Sequence, residues 1–213
     1  MKKTLTIYII LLFTMLSNCG DTTTVNRSLT ISDGQKINKN LSSVNGRIEV
    51  GENCLIKGDC RTVNGSIKIG NFSKVKEVKT INGNIELGEG VEVDGDIDLI
   101  NGNVQAKTGS HISGSITNIN GKIKLYHTVV HQNLSIVNGD ILLDDGTDIT
   151  GNIIIRGKPG KRAQVVKIEI KKGSKVQGDI RVKDSRKKVE VYLSEDSKIF
   201  GEVINATFIK SSN

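Results

Sequence analysis

The sequence predicts an all-β fold, a single-stranded parallel β-helix with right-handed coils preferred, and three observations predict it. Asn-Gly recurs at 45–46, 64–65, 82–83, 101–102, 120–121 and 138–139, at spacings of 19, 18, 19, 19 and 18 residues. Val or Ile precedes each pair, and Ile or Val follows two residues later, which is the signature of a repeated structural unit. A second motif runs in phase, as in Ile56-Lys57-Gly58-Asp59-Cys60, Val93-Asp94-Gly95-Asp96-Ile97, Ile112-Ser113-Gly114-Ser115-Ile116 and Ile149-Thr150-Gly151-Asn152-Ile153. The third observation is composition: 23 Gly, 1 Pro and 3% aromatic residues describe many tight corners around a thin aliphatic interior.

Asn-Gly between alternating runs is also the strongest short hairpin signal, so an antiparallel meander or barrel is the competing fold. In a two-residue hairpin the flanking residues share one face. Here they are Val44/Arg47, Val63/Ser66, Ile81/Asn84, Ile100/Asn103, Ile119/Lys122 and Val137/Asp140, an apolar residue beside a polar one each time. A coil corner has no such conflict: the chain bends outward at Asn-Gly, and both Val44 and Ile48 are expected to point inward. Asparagine tolerates the left-handed conformation at such a corner. Asn26, Asn45, Asn64, Asn82, Asn101, Asn120 and Asn138 then form a stacked ladder, and Ile48, Ile67, Ile85, Val104, Ile123 and Ile141 form a second one inside. The repeat keeps no strict six-residue period, which disfavours a left-handed hexapeptide helix.

The pattern loosens after Gly151, where Gly157 to Ala163 carry the single proline. Ile168-Glu169-Ile170 with Val176-Gln177-Gly178-Asp179-Ile180 makes one further turn, and Val191-Tyr192-Leu193 with Ile199-Phe200-Gly201-Glu202-Val203 a last one. The expected organisation is residues 1–18 as a signal peptide, 19–24 as a polar tether, 25–205 as the β-helix and 206–213 as a polar tail. About nine coils give a rod of about 40 Å.

At the amino terminus Lys2 and Lys3 precede an apolar stretch from Ile7 to Leu16, followed by Ser17, Asn18 and Cys19, which is the order of a secretory signal. The apolar stretch falls short of a spanning helix. Leu16-Ser17-Asn18-Cys19 resembles the lipobox of bacterial lipoproteins, with Asn18 where that motif has Gly or Ala. The resemblance implies lipidation of Cys19, export and attachment to a membrane of the bacterial envelope. Gly20 and Asp21 favour the outer membrane by resemblance to lipoprotein sorting rules.

Charge is the next candidate for function. From Arg156 to Glu190 there are 13 Lys or Arg and 4 Asp or Glu, whereas the rest of the chain from Cys19 is net acidic. Arg156, Lys158, Lys161, Arg162, Lys171, Lys172, Arg186, Lys187 and Lys188 are the candidate anion-binding surface, suited to an anionic envelope polymer. The competing reading is a solvated face whose lysines keep a sheet soluble. Export disfavours nucleic acid as a partner.

Other candidates are read as structural. His111, His127 and His131 occupy different positions of the repeat, so neither a metal nor a general base is expected there. Asp94, Asp96 and Asp98 alternate and are expected to share one face, as an acidic stripe in a single coil. Asp144, Asp145 and Asp148 lack the oxygen spacing of a calcium loop. Cys54 aligns with Ser73, Val91 and Ser110, and Cys60 with Ile97 and Ile116, so both are expected as small core residues, with a disulfide between them as the alternative. No cofactor motif and no recurring acid/base pair is present, so an enzyme such as a polysaccharide lyase or acyltransferase is the least favoured class.

The repeated V/I-N-G-x-I, with half repeats such as Val176-Gln177-Gly178-Asp179-Ile180, resembles bactofilins, the polymer-forming bacterial cytoskeletal proteins, and a group of exported bacterial β-helix proteins with the same Asn-Gly ladder. The resemblance covers residues 25 to about 205 and implies a compact rod that associates end to end. A non-enzymatic, lipid-tethered structural or self-assembling element of the envelope is therefore the first functional expectation, and an adhesin-like binder of anionic glycans the second.

Overall fold

The structure, a computed structural model, describes residues 22–157 and 165–210. Among the described residues each turn lays one strand on each of three parallel sheets, except the last, which reaches only the first two, so the sheets have ten, ten and nine strands, with no helix. One turn illustrates the pattern. Ile97–Asn101 lies in the first sheet, Val104–Ala106 in the second and His111–Ile112 in the third, after which Ile116–Asn120 returns to the first. Equivalent residues stack: Ile97 pairs with Val78 on one side and Ile116 on the other, and Asn101 with Asn82 and Asn120. The chain is thus a single-stranded parallel β-helix of about ten turns.

Turn length follows from burial. Within a turn Ile97, Leu99, Val104, Ala106 and Ile112 point inward with essentially no exposure, and each fully buried Ile, Leu or Val stabilises by about 1.5 to 3 kcal/mol. That stabilisation needs a turn on both sides. At the ends Leu29, Ile31, Ile37, Leu193, Ile199 and Val203 are only partly buried.

The helix is one turn longer than expected and overruns both expected boundaries. Thr22–Thr24, in the segment read as a tether, pairs with Leu41–Ser43, and Thr207–Lys210, in the segment read as a tail, pairs with Val189–Leu193. In both cases main-chain hydrogen bonding to the neighbouring turn recruits a segment, the threonine run in one case and Thr-Phe-Ile-Lys in the other, that periodicity alone does not mark.

Two further expectations are corrected at the corners. Val44, Val63, Ile81, Ile100, Ile119 and Val137 point outward, half-buried against one another. The residue before each is the inward one: Thr62 Oγ1 and Thr80 Oγ1 donate to the Gly46 and Gly65 carbonyls at 3.0 Å, and Asn118 Nδ2 donates to the Gly102 carbonyl at 3.0 Å. Nor is asparagine the left-handed residue of the Asn-Gly corner. Positive φ falls there on glycine, from 128° to 155° at Gly83, Gly102, Gly121 and Gly139, and in later turns the same corner has it at Gly157 and Asn205, while the remaining positive φ values lie on the corner between the second and third sheets. That second corner carries Asn53, Phe72, Gly90, Gly109, His127, Gly146 and Gly173 in turn, with φ between 44° and 77°.

The glycine-Asx half repeat marks the third corner. Its acidic or amide side chain accepts from the backbone of the next turn, Asp96 Oδ1 from the Ser115 N–H and Asn152 Oδ1 from the Asp179 N–H, both at 2.8 Å. Asp179 Oδ1 accepts from the Glu202 N–H in the same way, which, with Arg181 alongside, holds the Asp179 carboxyl below the usual carboxylate range.

Candidate functional site

The longest regular feature of the surface is the asparagine ladder. Asn45 donates from Nδ2 to Asn26 Oδ1, and the same bond repeats from Asn64, Asn82, Asn101, Asn120 and Asn138 to the asparagine before it, at 2.8–2.9 Å throughout. All six bonds run the same way, so the amide dipoles add and the acceptor end lies at Asn138.

Pairing of Ile136 with Ile155 carries the register on to Asn138 opposite Gly157, which has no amide to offer. Lys187 fills that place. Its Nζ lies 3.3 Å from Asn138 Oδ1 and 3.2 Å from the Arg156 carbonyl oxygen, and it also donates to the Val137 carbonyl oxygen. Three ammonium protons therefore meet three acceptors at the negative end of the amide chain. Burial pushes the Lys187 pKa below its ordinary value, with Asp184 opposing.

This placement removes Lys187 from the expected anion-binding surface, since only 4% of the residue is exposed. The other basic residues do not form one face. Lys171 pairs with Glu169, Lys172 with Asp144 at 3.4 Å and Arg186 with Asp184 at 2.6 Å. Arg156 and Lys188 are exposed, on different sides of the Asn-Gly edge. Lys158, Lys161 and Arg162 lie outside the described residues, as does Cys19.

The acidic candidates also separate. Asp94 pairs with Lys74 at 2.8 Å, Asp96 serves the third corner, and Asp98 pairs with Lys79 at 3.1 Å, so the expected shared face is not formed. Asp98 joins a chain of charges on the first sheet in which Arg61 pairs with Glu77 and Glu77 with Lys79. Burial raises the Asp98 pKa against the pull of Lys79. The Glu77 carboxyl stays low because Lys79 and Arg61 outweigh its own burial. Asp144 is committed to Lys172, while Asp148 accepts from Gln177 Nε2 at 3.2 Å.

His111 and His131 are exposed on the outside, and His127 holds the second corner with its Nδ1 2.9 Å from the Asp145 carbonyl oxygen. No three metal-ligating side chains converge among the described residues. Cys54 and Cys60 are both buried free thiols, so the disulfide alternative is not formed. Cys54 Sγ contacts the Ser32 carbonyl oxygen at 3.2 Å, the role Ser73 and Ser110 play in later turns. A shallow groove of about 550 Å³ crosses the second sheet, floored by Gly51, Gly70 and Gly88 and edged by Glu49, Lys68 and Glu86.

The two ends complete the surface. Val25 at one end and Phe200 and Phe208 at the other are 60%, 60% and 43% exposed. Sequence reasoning placed the asparagines but missed the capping role of Lys187, because 49 residues separate it from Asn138 and the intervening segment breaks the period. No family model, curated protein or solved structure matches the chain. Fold and surface together define it as a parallel β-helix protein.

Proposed function

We propose that this chain is a non-enzymatic structural lipoprotein of a bacterial cell envelope, held to the membrane through Cys19, whose rods associate end to end. One observation carries the reading. The terminal turns keep the strand geometry of the interior turns yet, among the described residues, leave one edge of every strand without a partner. Those edges are Thr22–Thr24, Leu29–Ile31 and Lys36–Ile37 at one end, and Val203–Ile204, Thr207–Lys210 and Lys198–Ile199 at the other. Such edges are templates for pairing with another chain, and unlike ends joined head to tail give open filaments.

The half-exposed aliphatic and aromatic side chains at both ends favour the same assembly, since covering them buries apolar surface. The likeness of the Asn-Gly repeat to bactofilins supports it independently. Membrane attachment rests on the signal-like amino terminus and the placement of Cys19.

Metabolic labelling with a fatty acid tests the anchor. Label is expected on the wild-type protein in the membrane fraction, and its loss in Cys19→Ser. Unlabelled wild-type protein in the soluble fraction overturns this part of the reading.

A further inference from the structure

Six Asn-Gly pairs in one chain raise a chemical problem, because this dipeptide is the one most prone to lose its side-chain amide. The backbone nitrogen after asparagine attacks Cγ, and glycine offers that nitrogen no side-chain shielding. The β-helix protects most of these pairs with one device. The N–H of Gly65, Gly83, Gly102 and Gly121 donates to the carbonyl oxygen of Asn82, Asn101, Asn120 and Asn138 respectively, at 2.9–3.0 Å. An amide nitrogen held in that bond is turned toward the next turn and is not available to its own neighbour's side chain.

Two pairs lack this protection among the described residues. Neither Gly46 nor Gly139 donates its N–H to any acceptor there. The two differ at the asparagine. Asn45 Oδ1 accepts from the neutral amide of Asn64 at 2.8 Å, whereas Asn138 Oδ1 faces the Lys187 ammonium at 3.3 Å. Asn138 is exposed to water, and its ladder ends against Gly157.

We propose that Asn138-Gly139 is a built-in deamidation site, activated by Lys187. Gly139 N bonds to Asn138 Cγ and gives its proton to solvent. Negative charge gathers on Oδ1 in the tetrahedral intermediate, where the ammonium stabilises it as an oxyanion donor does. Nδ2 takes a proton and leaves as ammonia, closing a succinimide. Water opens the ring to aspartate or isoaspartate, and no oxidant or cofactor is consumed. The carboxylate so formed stands beside the same ammonium, so the cap becomes an ion pair while the bond from Nδ2 to Asn120 Oδ1 is lost. The four interior pairs, whose glycine N–H groups are bonded to the next turn, keep their amides longest.

The test is to age the purified protein in mildly alkaline buffer and follow the amide-to-acid mass gain and isoaspartate in each Asn-Gly peptide. Conversion is expected first at 138, then at 45, with the four interior pairs last. Replacing the charge-assisted contact in Lys187→Met is expected to slow conversion at 138 by about fivefold, whereas Lys187→Arg, which keeps a cation, retains most of the rate. Conversion spread evenly over the six pairs, conversion led by an interior pair, or a rate at 138 in Lys187→Met equal to or above that of the wild type overturns the proposal.

Discussion

The carbonyl oxygen of Gly102 occupies the space where a side chain on Gly121 would begin: a Cβ there would stand 1.8 Å from it. The same relationship links Gly83 to Gly65 and Gly102 to Gly83, each at 2.0 Å, so the Asn-Gly glycines are where one turn's backbone rests on the next. A methyl group can be accommodated only by prising turns apart. Gly121→Ala is therefore expected to destabilise the fold by about 3 kcal/mol or more, from overpacking together with a positive φ. Gly173 also has positive φ, but a Cβ on it would meet nothing within 4 Å, and Gly173→Ala is expected to cost about 1 kcal/mol. Urea unfolding of the two variants measures the difference.

Asn101 donates to Asn82 and accepts from Asn120, both at 2.8 Å. Asn101→Ala removes both bonds and is expected to cost about 1 to 2 kcal/mol, whereas Asn26→Ala, at the ladder's start, removes one and costs about half as much. Equal losses in urea unfolding would contradict a cost set by the number of ladder bonds removed.

Cys60 is fully buried, and burial, reinforced by Asp59, pushes its thiol up to about 12. The thiolate fraction at neutral pH is on the order of one in 10⁵, so Cys60 is expected to resist alkylation in the folded protein and to react fully on unfolding. Cys54 is buried as well, 2% exposed, and is expected to be shielded from the reagent by that burial. Peptide mapping after alkylation with and without denaturant reads both sites.

Lys187 supplies a pH dependence with a definite sign. Its pKa is lower in the folded chain than in the unfolded one, so between those two values the unfolded chain binds more protons. Stability is therefore expected to rise with pH through that alkaline window, and the rise should be absent in Lys187→Met. The difference between the two unfolding profiles isolates this residue from Lys74 and Lys79, whose raised pKa values act in the opposite direction.

Fold and register were legible because a stacked coil repeats its chemistry every turn. The spacing of Asn45, Asn64, Asn82, Asn101, Asn120 and Asn138 alone gives the pitch, and each glycine before an Asx marks another corner. What misled was polarity. Val44 reads as inward because it is apolar, yet in later turns the inward place before that position goes to Thr62, Thr80 and Asn118, whose hydrogen-bonding groups satisfy corner carbonyls from inside, which turns Val63, Ile81 and Ile119 outward. Charge misled in the same way at Lys187, where carbonyl oxygens that no local pattern reveals draw an ammonium into the stack. Thr22–Thr24 and Thr207–Lys210 escaped notice because backbone pairing, not side-chain pattern, holds them.

Electron microscopy of the purified chain beginning at Cys19 tests end-to-end assembly. Ten turns give one rod of about 45 Å, and end-to-end pairing predicts unbranched filaments many times that length. Particles that remain one rod long at every protein concentration would overturn end-to-end assembly.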